Sequence, residues 1–81
     1  MDGAPVKRYE LEQSQTIAAL NYNAELSQLD VELRNGAVYR YFVVPKRLLS
    51  ELLTAASPGR VFNAQLRGRH GERSLAPRRL R

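Results

Sequence analysis

The sequence predicts an α+β fold, in which a small antiparallel sheet of three to four strands packs against two C-terminal helices. Apolar and charged side chains alternate through Leu29–Leu33, which is typical of a half-buried strand. Asn35-Gly36 follows, and this dipeptide favours a tight turn between paired strands. Beyond Pro45, leucines recur with the spacing of one helical face. The strands, the turn and the helix follow one another in a meander.

Length and composition indicate one small globular domain. The chain has 81 residues, of which 43% are hydrophobic and 26% charged. A chain of this size buries roughly 60% of its unfolded surface, which is enough for one modest core. The absence of cysteine excludes a disulfide framework and a thiolate metal site. No apolar run is long enough for a signal peptide or a membrane span, so we expect a cytoplasmic protein without membrane contact.

Charge is distributed unevenly along the chain. Residues 1–44 contain four basic and six acidic side chains, whereas residues 45–81 contain nine basic and two acidic ones. The net charges of the two parts are therefore −2 and +7. An arginine-rich half of a small domain suggests a polyanionic partner, although an ordinary solvated surface would give the same asymmetry.

The N-terminal elements are less clearly defined. Residues 1–8 contain a glycine and a proline, and we expect a flexible leader. Tyr9 and Leu11 alternate with charged neighbours, which indicates a short first strand or an extended segment. Gln15–Tyr22 is interpreted as a strand, although its central part, Ala18–Leu20, would also fit a helix.

The register of the central hairpin can be argued from its side chains. A two-residue loop at Asn35-Gly36 would pair Leu33 with Val38 and place Arg40 among apolar residues. A three-residue loop with Gly36 in the left-handed conformation pairs Leu33 with Ala37 and keeps the apolar side chains together. We therefore predict the bulged register. It gives three further pairs: Val31 with Tyr39, Leu29 with Tyr41, and Asp30 with Arg40 on the outer face.

A first helix is predicted over Pro45–Ala56. Pro45 suits the first helical position, where a missing N–H has no consequence. One stripe of the helix is apolar and should pack on the sheet, where each fully buried leucine contributes about 1.5–3 kcal/mol. The stripe consists of Leu48, Leu49, Leu52, Leu53 and Ala56.

A second, shorter helix is predicted from Pro58 to about Arg67. Ser57 is a suitable N-cap, and Gly68 ends the helix. A helical wheel divides it into two faces. One face carries Val61, Phe62, Gln65 and Leu66, and the other carries Arg60, Asn63, Ala64 and Arg67. We expect a single domain over residues 9–69 and a basic, disordered tail over residues 70–81.

The ordered set of these residues resembles the KTSC domain, a small domain named for its occurrence at the C-terminus of some lysyl-tRNA synthetases. The resemblance covers roughly residues 9–69. The matching residues are Ser14, Ile17, Tyr22, Asn23, Leu29, Val31, Leu33, Gly36, Tyr39, Tyr41, Val44, Pro45, Ala55 or Ala56, Ser57, Gly59, Phe62 and Asn63. Asn21 stands where the family usually shows glycine, and Leu48 or Leu49 where it usually shows an aromatic residue. The resemblance implies a small α+β unit, and its synthetase context implies contact with RNA.

No set of residues in the sequence is typical of a catalytic site, and we expect no enzyme activity, no cofactor and no metal. His70 is the one histidine, and no nucleophile or carboxylate stands at a catalytic spacing from it. Arginines near exposed aromatic rings are instead typical of nucleic-acid binding. The candidate nucleic-acid-binding residues are Arg60, Asn63 and Arg67 on the second helix, Arg69 and Arg73 beyond it, and Arg40 and Phe42 on the outer face of the hairpin. Asn63 has an alternative role, since its amide would also brace a neighbouring loop.

Two functions are therefore considered. The first is a non-enzymatic module that binds RNA or another nucleic acid through the arginine-rich second helix and tail. The alternative is a protein-interaction module, in which a sheet edge or the face carrying Val38 and Phe42 contacts a protein partner. We expect a monomer in either case.

Overall fold

A computed structural model of the protein describes residues 6–67 and 77–81 and confirms the predicted α+β class. Within these residues, five antiparallel strands form one sheet in the order β1-β2-β3-β4-β5. The elements are β1 Val6–Glu10, β2 Ile17–Asn23, β3 Gln28–Leu33, β4 Val38–Tyr41, α1 Lys46–Thr54, α2 Pro58–Phe62, a π-helix Asn63–Arg67 and β5 Arg78–Arg79. The sheet therefore has one strand more than the upper number expected.

The first strand starts earlier than the segment predicted around Tyr9, and a fifth strand lies where the sequence predicted a disordered tail. β1 begins at Val6, inside the predicted leader, and β5 lies inside the predicted tail. Both strands are polar and mostly exposed, so the alternation that reveals a half-buried strand is missing. Backbone pairing with β2 and β4 holds them at the two edges of the sheet. Residues 1–5 of the predicted leader and 70–76 of the predicted tail lie outside the described residues.

The predicted bulged hairpin between β3 and β4 is confirmed. Gly36 has a φ of +96°, and the backbone N–H of Leu33 donates to the carbonyl of Ala37 at 2.8 Å. The cross-strand pairs are the expected ones: Leu29 with Tyr41, Asp30 with Arg40, and Val31 with Tyr39. Glycine is required at this turn because L-residues rarely adopt so positive a φ.

The core lies between the inner face of the sheet and the two helices. Its largest fully buried side chains are Phe62, Ile17, Leu20, Leu29, Leu52, Val31 and Val44. Tyr41 is buried and meets Phe62 edge to face, with ring centroids 5.7 Å apart. Tyr39 is half-buried against the same core. The prediction that both tyrosines pack inward is therefore confirmed.

The first helix differs from its prediction at its ends. α1 spans Lys46–Thr54, and Pro45 precedes it as the N-cap residue with extended backbone angles rather than occupying the first turn. Leu48, Leu49 and Leu52 are buried as expected. No helix in the described part of the chain is long and apolar enough to cross a membrane.

The second helix has the predicted extent but a different geometry. It is α-helical through Phe62 and π-helical from Asn63 to Arg67, and π-helices are rare and occur frequently at functional sites. Phe62 and Leu66 are buried as expected, whereas Gln65 is exposed, contrary to the wheel drawn with α-helical spacing. The wider π-turn rotates Gln65 away from the position that the α-helical wheel gives it.

The connection from β4 to α1 is fixed by two backbone contacts of Val44. Its N–H donates to the carbonyl of Ser27 at 2.8 Å, and its carbonyl accepts a 2.7 Å hydrogen bond from the Tyr22 hydroxyl. Val43, which precedes it, has a φ of +58° and a side chain that is 71% exposed. A β-branched residue in the left-handed region is strained by about 1–3 kcal/mol, and here little burial offsets that strain.

We expect Val43→Asn to stabilise the protein by about 1 kcal/mol, because asparagine tolerates the left-handed conformation. Urea unfolding followed by circular dichroism measures the change. Val6→Asn is the matched control, since Val6 is also exposed but lies in extended β1. That control should be neutral or slightly destabilising. A loss of stability in Val43→Asn would show that strain at this position is not the dominant effect.

Candidate nucleic-acid interface

On the outer face of the sheet, arginines are paired with carboxylates. The Arg40 guanidinium forms two hydrogen bonds to Asp30, at 2.8 and 2.9 Å. Arg8 pairs with Glu32, which also accepts a 2.8 Å hydrogen bond from the Asn21 amide. Hydrogen bonding by Arg8 lowers the pKa of Glu32 below its ordinary value, against the opposing effect of burial. The charges of Arg8 and Arg40 on this face are therefore compensated by Glu32 and Asp30.

On the inner side, arginines contact aromatic rings instead of carboxylates. The Arg67 guanidinium lies 5.4 Å from the centroid of the Phe62 ring, and the Arg79 guanidinium lies 5.7 Å from that of Tyr39. Tyr41 contacts Phe62 between these two pairs. We call Tyr39, Tyr41, Phe62, Arg67 and Arg79 the arginine–aromatic surface. Both of its arginines are exposed.

The π-helix explains how Arg67 reaches the Phe62 ring. Residues 62 and 67 are five positions apart, and in a π-helix the repeat is close to this spacing, whereas α-helical neighbours are three or four apart. Arg67 also donates a 3.3 Å hydrogen bond from its guanidinium to the side-chain oxygen of Asn63. Two contacts therefore hold the Arg67 side chain over the ring while its charge remains in solvent.

Electrostatics link the parts of this surface. Burial raises the pKa of the Tyr41 hydroxyl, the positive charge of Arg67 opposes that shift, and Tyr39 adds to it. Tyr41 therefore stays protonated at neutral pH beside an exposed arginine.

The structure divides the residues that the sequence proposed for nucleic-acid binding. Arg60, Asn63 and Arg67 are exposed on consecutive turns of α2 and the π-helix. Arg40 is instead bound to Asp30 on the opposite face of the sheet, and Phe42 is half-buried just after β4. The remaining two, Arg69 and Arg73, lie outside the described residues.

Sequence reasoning missed Arg79 as a partner of the Tyr39 ring. It assigned Tyr39 to the core and Arg79 to the tail, and the two meet only because β5 pairs with β4. The pairing of Tyr39 with Arg79 joins distant parts of the chain through a two-residue strand. No local pattern predicts such a strand, although the cluster of C-terminal arginines was visible.

Apart from the arginine–aromatic surface, the protein has a concave region lined by uncharged residues. It has a volume of about 270 Å³ and lies between residues 13–16 and residues 56–59. The Ser14 hydroxyl is buried and accepts backbone hydrogen bonds from Thr16 and Ile17 at 3.2 and 3.0 Å. A Cβ at Gly59 would lie 2.9 Å from the Thr16 hydroxyl, so glycine allows the helix to approach this loop. The close approach of Gly59 to Thr16 therefore brings the start of α2 against the loop that precedes β2.

Comparison with known proteins places the chain among relatives of the same size. The model of the KTSC domain matches residues 13–70. An uncharacterized protein of Stutzerimonas stutzeri (strain A1501) is 42% identical over 58 residues, which are 72% of this chain and 82% of that protein. The crystal structure of a KTSC domain protein from Yersinia pestis matches with a TM-score of 0.77 and 26% identity, over 94% of this chain and 99% of that one.

The pairing of Glu32 gives a prediction for pH dependence. Because its pKa in the folded protein lies below the ordinary 4.5, its ionised form stabilises the fold above that value. This contribution is lost as the pH falls through the lowered pKa. Glu32→Gln should therefore be less stable than the parent at neutral pH, and the difference should shrink as the pH falls below 4.5.

Urea midpoints measured for both proteins from neutral pH to about pH 3 test this expectation. Glu25→Gln, on the exposed turn between β2 and β3, is the matched control for removal of one carboxylate. A difference between Glu32→Gln and the parent that does not vary with pH would contradict the ion pair with Arg8 as its cause.

Proposed function

The chain belongs to the KTSC domain family, and from its distribution of charge we propose that it is a non-enzymatic domain that binds nucleic acid, with RNA as the expected partner. The binding residues in this proposal are Arg60, Asn63 and Arg67, joined by Arg79. Arg40, which the sequence suggested, is left out because Asp30 occupies its guanidinium. The occurrence of the family at the end of some lysyl-tRNA synthetases agrees with RNA as the partner.

The observation that supports this proposal best is the separation of paired and exposed arginines. Among the described residues, the ion pairs of the protein involve Arg8 and Arg40, both on the outer face of the sheet. Arg60, Arg67 and Arg79 are exposed and have no carboxylate at ion-pair distance within those ranges. Carboxylates therefore compensate Arg8 and Arg40, whereas Arg60, Arg67 and Arg79 keep their positive charge uncompensated among the described residues.

A surface of exposed arginines suits phosphate groups. Each phosphate neutralised by an arginine releases condensed counterions, which makes the binding free energy favourable and dependent on salt. Guanidinium groups also bind phosphate oxygens in a bidentate manner. The side-chain amide of Asn63 offers a neutral hydrogen-bond donor beside Arg67. Asparagine side chains often donate hydrogen bonds to phosphate and sugar oxygens.

A protein-interaction function is the second candidate, and it is favoured by a different surface from the one first considered. Val38 is only 8% exposed, so its side chain offers little apolar surface to a protein partner. β5 pairs with β4, so the edge of β4 is not open to a partner strand. Leu26 and Val43 are instead 60% and 71% exposed. Their loops are adjacent, because the N–H of Val44 is bonded to the carbonyl of Ser27.

We expect the double substitution Arg60→Glu with Arg67→Glu to weaken binding to a short RNA by about tenfold or more. This is the loss of affinity expected when two phosphate contacts are removed. The slope of log K against log salt should become smaller by about two. Fluorescence anisotropy at several salt concentrations measures both quantities.

The charge-matched control is Lys46→Glu with Arg47→Glu, which makes the same change in net charge on the exposed side of α1. If both variants lose the same affinity, net charge rather than this surface governs binding. If the parent protein binds neither RNA nor DNA at low salt, the proposed function is wrong.

A further inference from the structure

The two arginines of the arginine–aromatic surface each lie over an aromatic ring, and this arrangement suits unpaired bases. A guanidinium is planar, and a ring beneath it leaves its second plane free for stacking. Arg67 lies over Phe62 and Arg79 over Tyr39, at 5.4 and 5.7 Å from the ring centroids. Both side chains remain exposed. The surface therefore presents two prepared stacking positions.

From this geometry we infer that the protein prefers single-stranded nucleic acid with unstacked bases over a duplex, and that Arg67 and Arg79 stack on those bases. The inference rests on the proposed function and specifies its substrate class. In a duplex, the faces of the bases are covered by their neighbours, so only unpaired bases can meet a guanidinium plane. Stacking on aromatic rings and on arginine planes is how proteins grip single strands.

The position of the two stacking arginines supports one continuous site. The contacts run from Arg67 to Phe62, from Phe62 to Tyr41, and from Tyr39 to Arg79. Tyr39 and Tyr41 are neighbours on the same face of β4, about 7 Å apart as next-but-one residues of a strand. The two exposed arginines therefore lie at the ends of one row of rings, in which Phe62 and Tyr41 are buried and support the site from within the core.

Arg79 should act by its planar shape as well as by its charge. Lysine keeps the charge at this position but has no planar group to stack. We therefore expect Arg79→Lys to reduce affinity for single-stranded RNA of about ten nucleotides, which lies within the usual range of site sizes, by about fivefold to tenfold. The affinity for a duplex of the same sequence should change less, since lysine keeps the charge on which the salt-dependent part of phosphate binding rests.

Arg78→Lys is the matched control. Arg78 is the neighbour of Arg79, but it pairs with Arg40 on the outer face of the sheet, away from Tyr39. It should lose no single-strand preference. Arg67→Lys is a second test variant and should behave like Arg79→Lys. Anisotropy titrations with matched single-stranded and duplex probes measure all four proteins.

The outcomes separate this inference from the proposed function. If the parent prefers single strands and only Arg67→Lys and Arg79→Lys reduce that preference, the stacking role is supported. If the parent binds both probes equally, or if Arg78→Lys and Arg79→Lys have the same effect, the inference is overturned while nucleic-acid binding stands. If no probe is bound, both are overturned.

Discussion

The register of the β3–β4 hairpin is the constraint on which the rest of the structure depends. It is set by Gly36, whose positive φ closes a three-residue loop that few other residues would tolerate. A shift of one residue would turn every side chain of β4 to the opposite face. Tyr41 would then leave Phe62, and Arg40 would enter the core without Asp30. The packing of the core and the ion pairs of the outer face therefore both depend on the register of this hairpin.

That register also separates the two kinds of arginine. Asp30 and Glu32 alternate with the core residues of β3, so both carboxylates lie on the outer face and pair with arginines there. The inner face is apolar, and its arginines come from the π-helix and β5, where aromatic rings are the available neighbours. The charge distribution used in the functional proposal is thus a consequence of strand alternation and helix placement.

The sequence predicted the parts of the fold that depend on local rules. The hairpin register, the burial of both tyrosines and the leucine stripe of α1 follow from alternation, turn chemistry and helical spacing. The sequence indicated a first strand only around Tyr9 and Leu11, and it did not predict β5, because edge strands with polar, exposed residues show little of this alternation. The π-helix was missed for a related reason, since residue preferences do not distinguish it from the end of an α-helix.

The candidate site, like the fold, could be predicted where local sequence patterns determine it and not where long-range strand pairing does. Arg60, Asn63 and Arg67 were found because they share one side of a helix, whereas Arg79 became part of the site only through long-range strand pairing. Arg40 was proposed although the predicted register already placed it opposite Asp30, and in the structure Asp30 accepts a 2.8 Å hydrogen bond from its guanidinium. An ion pair that a sequence predicts should therefore remove its arginine from a list of binding residues.

The central claim is that nucleic acid binds the inner, arginine–aromatic side of the protein and not the outer face of the sheet. An NMR titration of isotope-labelled protein with a short single-stranded RNA at low salt tests it most directly. We predict that the largest amide shifts occur in Asn63–Arg67 and at Tyr39 and Arg79. Shifts concentrated at Arg8, Asn21 and Glu32, or no shifts at all, would contradict the account.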